Sequence, residues 1–155
     1  MEAAVIPPPD REQIHRFCVL LGRTERVVRR SLAAPLNTVG LTFEEFFLLS
    51  GCDSAALPGQ SELTALASLS PAQTSTLLDG LRQRSWLTPE RDPADRRRQV
   101  WGLTNEGRAQ LGLAWQALAP VLAELQARLV PAAWDSLARG LAELASPPAD
   151  RRRCA

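Results

Sequence analysis

The residues able to do covalent or acid–base chemistry are few and scattered. His15 is the only histidine, there is no tyrosine, and the three cysteines stand far apart at Cys18, Cys52 and Cys154. With one imidazole and no phenol, general acid–base catalysis has almost nothing to work with. The cysteines are odd in number and form no Cys-x-x-Cys pair, so neither a disulfide framework nor a metal site is expected. No Ser/His/Asp set, glycine-rich phosphate loop or pair of carboxylates on one helical face occurs. The chain therefore reads as a non-enzyme with no cofactor and no metal. What remains is the chemistry of recognition. Gln73 carries an amide suited to a base edge, with Ser70, Ala72, Ser75 and Thr76 around it. Three adjacent guanidiniums, Arg96, Arg97 and Arg98, follow the carboxylate of Asp95.

These two groups need elements to hold them. Ser70-Pro71-Ala72-Gln73 has a capping hydroxyl, a proline at the first helical position and an amide that reaches back. Thr74, Leu77, Leu78 and Leu81 then recur at helical spacing, leaving Gln73, Thr76 and Gly80 opposite. A shorter helix, Ser61 to Ala67, precedes this one across a three-residue turn. After Arg84 the run Trp86-Leu87-Thr88 reads as a strand. A turn at Asp92-Pro93-Ala94-Asp95 follows, then the arginines, then a return strand from Gln99 to Leu103. Pro89 has no N–H for a ladder, so the outgoing strand is predicted to be interrupted or short. On the return leg Trp101 and Leu103 are expected to face the core, with Arg98, Val100 and Gly102 on the other face. Helix, turn, helix and a basic-tipped hairpin describe a winged helix-turn-helix.

Four blocks of the sequence resemble the MarR family (multiple antibiotic resistance regulators) of bacterial transcription factors. They are LTFEEFFLL from Leu41, SELTALASLSPAQTSTLLDGL from Ser61, DPADRRR from Asp92, and LTNEGR from Leu103. The Asp-x-Arg of the wing followed by Leu-Thr-x-x-Gly is the most specific part, and the resemblance spans roughly residues 10 to 146. It implies a mainly α fold, with a winged helix at about 42–103 flanked by dimerisation helices at about 10–33 and 105–145. Family members usually have glycine where Ser85 stands and often arginine where Pro89 and Thr76 stand. The resemblance also implies double-stranded DNA and a second copy of the chain as partners. A small aromatic ligand is implied near the second helix, with His15, Phe43 and Phe47 as the candidate pocket.

On this reading a recognition helix at about 70–84 enters the major groove. Gln73 makes a bidentate adenine contact, while Ala72 and Thr76 meet thymine methyls. Arg96 and Arg97, at the tip of a wing at about 92–98, reach the minor groove. Asp95 is expected to hold one of them by a carboxylate–guanidinium pair, and Arg98 adds a further cation.

The flanking segments follow the same logic. Asp10 and Gln13 form a capping box for a first helix carrying Ile14, Phe17, Leu21, Val28 and Leu32, stopped at Ala34-Pro35. Thr42 and Glu45 start a second, phenylalanine-rich helix, and residues 50–60 read as a loop. Thr104 caps a long helix whose apolar stripe, Leu111 to Leu129, continues past Pro120. A last helix carries Trp134, Leu137, Leu141 and Leu144 on one face. One chain cannot cover both terminal stripes, which implies a homodimer. Some relatives sense peroxides through a cysteine near Cys18, assisted by two tyrosines. Gly22 and Leu32 stand at the matching positions, so Cys18 is expected to be a buried structural thiol. Residues 1–9 lack the features of a signal peptide and no apolar run is long enough for a membrane, so a cytoplasmic protein is expected. Residues 1–9 and 147–155 read as disordered tails.

The charge pattern sets a second reading beside the first. All basic residues are arginine, and none falls between Ser31 and Leu81, where Glu44, Glu45, Asp53, Glu62 and Asp79 do. An acidic helix-turn-helix also suits a dimeric winged-helix interaction module with weak or lapsed DNA binding.

Overall fold

A computed structural model describes residues 10–53, 57–128 and 130–145. Both predicted tails, Cys154 and Leu129 lie outside the described residues.

The first helix, α1 (Arg11–Thr38), starts at the predicted capping box. Gln13 N donates to Asp10 Oδ1 at 2.8 Å and Asp10 N donates to Gln13 Oε1 at 3.0 Å. Its end corrects the sequence reading: the helix runs through Pro35 and stops three residues later. The stop signal is Gly40, at φ 73°. Leu41 N donates to Leu36 O and Gly40 N donates to Asn37 O, each at 3.1 Å, which is a Schellman closure. Leu36 and Leu41, the two positions whose side chains meet in this motif, are both buried.

Thr42 and Glu45 cap α2 (Phe43–Gly51), each backbone N–H donating to the other's side chain. Phe46, Leu48 and Leu49 are buried, so α2 is a core element. Helical structure extends to Gly51, so the predicted loop is shorter than 50–60. Next come α3 (Gln60–Ala67) and α4 (Pro71–Gln83), joined by the predicted short turn. Leu63, Thr74, Leu78 and Leu81 seal the contact between them and the rest of the core. Thr74 is the buried polar residue among those described, and it is satisfied. Its hydroxyl donates to Ser70 O at 3.1 Å and accepts from Thr64 Oγ1 at 3.0 Å.

The hairpin pairs β1 (Leu87–Arg91) with β2 (Gln99–Leu103), antiparallel, with Pro89 opposite Trp101. Pro89 does not interrupt β1, against the expectation. Trp101 N donates away from β1, to Pro58 O at 3.0 Å. Pro89 and Trp101 thus form a non-hydrogen-bonded pair, where a missing N–H costs nothing. The same turn of backbone adds a bridge between Gly59 and Val100. Trp101 and Leu103 are buried as predicted. Val100 and Gly102 are buried as well: Leu57 and Glu90 lie over Gly102, and Gly59 bridges to Val100.

Thr104 caps α5 (Asn105–Ala127), accepting from Gly107 N at 2.9 Å and donating to Ser85 O at 2.6 Å. Leu111, Ala114 and Leu118 are buried, whereas Trp115 is exposed. The helix continues past Pro120. Two compact units are distinguishable, one ending at Leu118 and one beginning at Ala119. The second contains the end of α5 and α6 (Pro131–Ala145), which has no buried residue. Within it Trp134 Nε1 donates to Gln126 O at 3.3 Å. No helix among the described residues is long and apolar enough to cross a membrane.

Candidate nucleic-acid interface

The N-terminal end of α4 is exposed at Ser70, Ala72, Gln73, Ser75 and Thr76. Its polar groups are more committed than the sequence suggests. Ser70 N and Ser70 Oγ both donate to Gln73 Oε1, at 3.1 and 2.8 Å, and Gln73 N donates to Ser70 Oγ at 3.3 Å. The amide oxygen of Gln73 is therefore occupied at the helix cap, and its Nε2 is the group left to offer. Thr76 Oγ1 donates its proton to Ala72 O at 3.0 Å. Ala72, Gln73 and Thr76 also border an open cleft of about 470 Å³ whose far wall is Thr42, Glu44 and Leu69.

The wing tip is built from backbone bonds to two aspartates. Asp92 Oδ1 accepts from Ala94 N at 2.8 Å and from Asp95 N at 3.4 Å. The Ala94 bond is the main reason that the Asp92 carboxyl is held below the ordinary carboxylate range. Asp95 Oδ1 accepts from Arg97 N at 3.0 Å. Asp95 thus shapes the backbone under Arg97 instead of gripping a guanidinium, which corrects the predicted ion pair. Among the described residues Arg96 and Arg97 have no ion-pair partner, and both are exposed. Arg98 does not join them. Its guanidinium is taken by Glu62 and Asp92.

The acidic character of the helix-turn-helix changes meaning once the chain is folded. Glu44 meets Arg29, Glu45 meets Arg84, Glu62 meets Arg98 and Asp79 meets Arg82. Every one of these arginines lies outside 31–81. Arg84 also stacks on Trp86, 4.3 Å from the ring centroid, and donates to Gly40 O at 3.3 Å. It ties the end of α4 to the start of α2. The roles of Glu62 and Arg84 are not legible from local sequence. A glutamate three residues into a helix reads only as a cap.

A separate aromatic cluster runs from α2 to α5. Ring centroids are 4.7 Å apart for Phe43 and Phe47, 5.5 Å for Phe46 and Phe47, and 4.9 Å for Phe46 and Trp115. Arg29 lies over Phe43 at 4.3 Å. His15 is exposed on α1, roughly 20 Å along the helix axis from Arg29 at 1.5 Å per residue. It is not part of this cluster within one chain. Cys18 is also exposed, against the expectation of burial. Its apolar neighbours Phe17, Val19 and Leu20 are exposed on the same helix and do not cover it. The buried thiol is Cys52, pushed up to about 12 by desolvation. Ile14, Phe17, Leu21, Leu137, Leu141 and Leu144 are exposed, and Trp134 is half-buried. Among the described residues no group of His, Cys, Asp or Glu could hold a metal ion.

No protein-family model and no curated protein matches the sequence. Solved structures do. CouR from Rhodococcus jostii RHA1, bound to p-coumaroyl-CoA, is 25% identical with a TM-score of 0.76, over 83% of this chain and 90% of that one. CouR bound to a 23-mer DNA duplex is 25% identical with a TM-score of 0.73, over 91% of this chain and 100% of that one. The Mycobacterium tuberculosis MarR-family protein Rv2887, in complex with salicylic acid, is 28% identical with a TM-score of 0.64, over 81% of this chain and 93% of that one. Together with the capped helices, the Asp-x-Arg wing and the Leu-Thr-x-x-Gly entry to α5, these likenesses show the winged-helix fold of MarR-family transcriptional regulators and support a regulator of that kind.

Proposed function

We propose that two copies of this chain form a dimer that binds duplex operator DNA, with α4 in the major groove and the wing in the minor groove. The observation that carries the reading is the wing tip. Arg96 and Arg97 stand exposed without a carboxylate partner among the described residues, next to Asp95, which accepts from the Arg97 backbone. Unpaired arginines at a hairpin tip suit a narrow A·T minor groove. CouR, which is similar in fold over most of the chain, was solved on a DNA duplex, and that supports the same use here. The exposed apolar residues of α1 and α6 support the dimer, since surface of this kind is normally covered by a partner. Relatives were solved with salicylic acid and p-coumaroyl-CoA. An aromatic effector acting near Phe43, Phe47 and Trp115 is consistent with both.

The test is a salt titration of binding to an operator selected from random duplex. Wild type is expected to show a log–log slope of several units. If Arg97 meets a phosphate in each half-site, Arg97→Ala is expected to lower that slope by about 2 per dimer, at roughly 0.9 per phosphate contact. A near-zero slope for wild type would favour the interaction-module reading. The pairing of Glu44, Glu45, Glu62 and Asp79 with Arg29, Arg84, Arg98 and Arg82 weakens the main argument for that alternative.

A further inference from the structure

We propose that Arg98 is a positioning residue, not a DNA contact: it clasps the wing to the start of α3 and so fixes how far Arg96 and Arg97 reach. This rests on the DNA-binding reading above. Arg98 Nη2 donates to Glu62 Oε1 and Oε2, both at 2.6 Å, and Arg98 Nη1 donates to Asp92 Oδ2 at 3.2 Å. One guanidinium thus spans two carboxylates on different elements. Each carboxylate is itself held. Glu62 Oε2 accepts from Gly59 N at 2.7 Å, at the N-terminus of α3. Asp92 accepts the two wing-tip amides of Ala94 and Asp95. The clasp therefore has firm attachments at both ends. The Arg98 backbone closes the same turn: Arg98 N donates to Asp95 O at 2.9 Å, and Asp92 N donates to Arg98 O at 3.1 Å. Gly59 leaves room for it, since a Cβ there would stand 3.1 Å from Arg98 Nε.

Charge counting agrees. Arg98 faces two carboxylates, so this corner of the wing carries no positive excess to offer a phosphate. A single exposed ion pair is weak, so the effect on binding is expected to be moderate, on the order of 3- to 10-fold.

Glu62→Gln separates the clasp from simple electrostatics. The substitution keeps a side-chain oxygen for Gly59 N and removes a negative charge from a DNA-facing domain. Net charge alone therefore predicts tighter binding, and the clasp predicts weaker binding. Full-length Glu62→Gln, Arg98→Ala, the double variant and Arg97→Ala are titrated with salt on the selected operator. The expected result is a 3- to 10-fold loss for Glu62→Gln at an unchanged salt slope. Arg98→Ala should lose a similar amount at unchanged slope, and the double variant should be no worse than the poorer single one. Tighter binding by Glu62→Gln, or a slope for Arg98→Ala reduced as in Arg97→Ala, overturns the proposal. If the wild-type protein binds no duplex, the function proposed above fails, and the clasp is read without DNA. Backbone NMR order parameters for residues 92–98 should then fall in Glu62→Gln, and unchanged values overturn the clasp.

Discussion

Gln73 illustrates how a cap and a recognition residue can compete for one side chain. A bidentate adenine contact needs the amide oxygen to accept from N6 and the amide nitrogen to donate to N7. Here the oxygen already accepts two bonds from Ser70. Gln73 is therefore expected to donate only, to a purine N7. Binding should be insensitive to replacing the facing adenine by 2-aminopurine, which keeps N7 and lacks the N6 amine. It should fall when 7-deazaadenine removes N7. Equal losses with both analogues would mean that the amide leaves the cap and reads the base with both atoms. Ser85 supplies a second residue-scale case. It holds φ 60°, where a side chain is strained, which suits the glycine that the family resemblance implies at this position. Ser85→Gly is expected to stabilise the fold by roughly 0.5–1 kcal/mol, read as a higher urea midpoint at unchanged m-value. A lower midpoint would show that the serine contributes more than its backbone costs.

Among the elements, the start of α5 is the tightest joint. A Cβ on Gly107 would lie 2.0 Å from Trp86 O, a backbone atom that cannot swing away. That close approach explains the glycine of the Leu-Thr-x-x-Gly step: α5 leaves β2 pressed against the end of the preceding segment. Trp86 O also accepts from Thr104 N at 3.2 Å, so displacing α5 breaks its entry as well. Gly107→Ala is expected to destabilise by about 1–3 kcal/mol through overpacking. Gly112, on the same helix, has nothing within 4 Å of a built Cβ. There alanine should stabilise by up to about 1 kcal/mol through helix propensity. Thermal or urea denaturation of the pair checks the contrast. Equal and small effects at both positions would mean that α5 shifts freely on the hairpin.

For the whole molecule, the exposed apolar side chains of α1 and α6 motivate the dimer proposed above. Ile14 is 49% exposed and Leu144 65%, and each shares its helix with further exposed apolar residues, a pattern that suits an interface. A chain ending at Leu129 loses α6. It is expected to aggregate or to unfold, and sedimentation of the soluble fraction with circular dichroism checks this. A well-folded, soluble monomer from that truncation would sink the dimer.

Much of the fold was legible because it is written in short-range rules. The boxes at Asp10/Gln13, Thr42/Glu45 and Ser70/Gln73 each join residues three apart, and all three form as read. Helical spacing alone finds Thr74, Leu78 and Leu81 on α4 and Leu111, Ala114 and Leu118 on α5, but it also puts Trp115 on the buried stripe, where the structure leaves it exposed. Pro35 misled because a helix can continue past a proline at the cost of one backbone bond, as α5 also does at Pro120. Pro89 misled because whether its missing N–H matters depends on which strand edge it would have faced, and that is set by pairing with residues farther along the chain. The charge of the interface lay beyond the sequence for the same reason. Arg29, Arg84 and Arg98 meet their glutamates across 15, 39 and 36 residues, and no local periodicity encodes those pairings. The sequence by itself determined the helices, their caps, the hairpin and the two exposed arginines at its tip. Only the tertiary structure decided which arginines are spent on neutralising the helix-turn-helix, because ion pairing depends on distance in space and not along the chain.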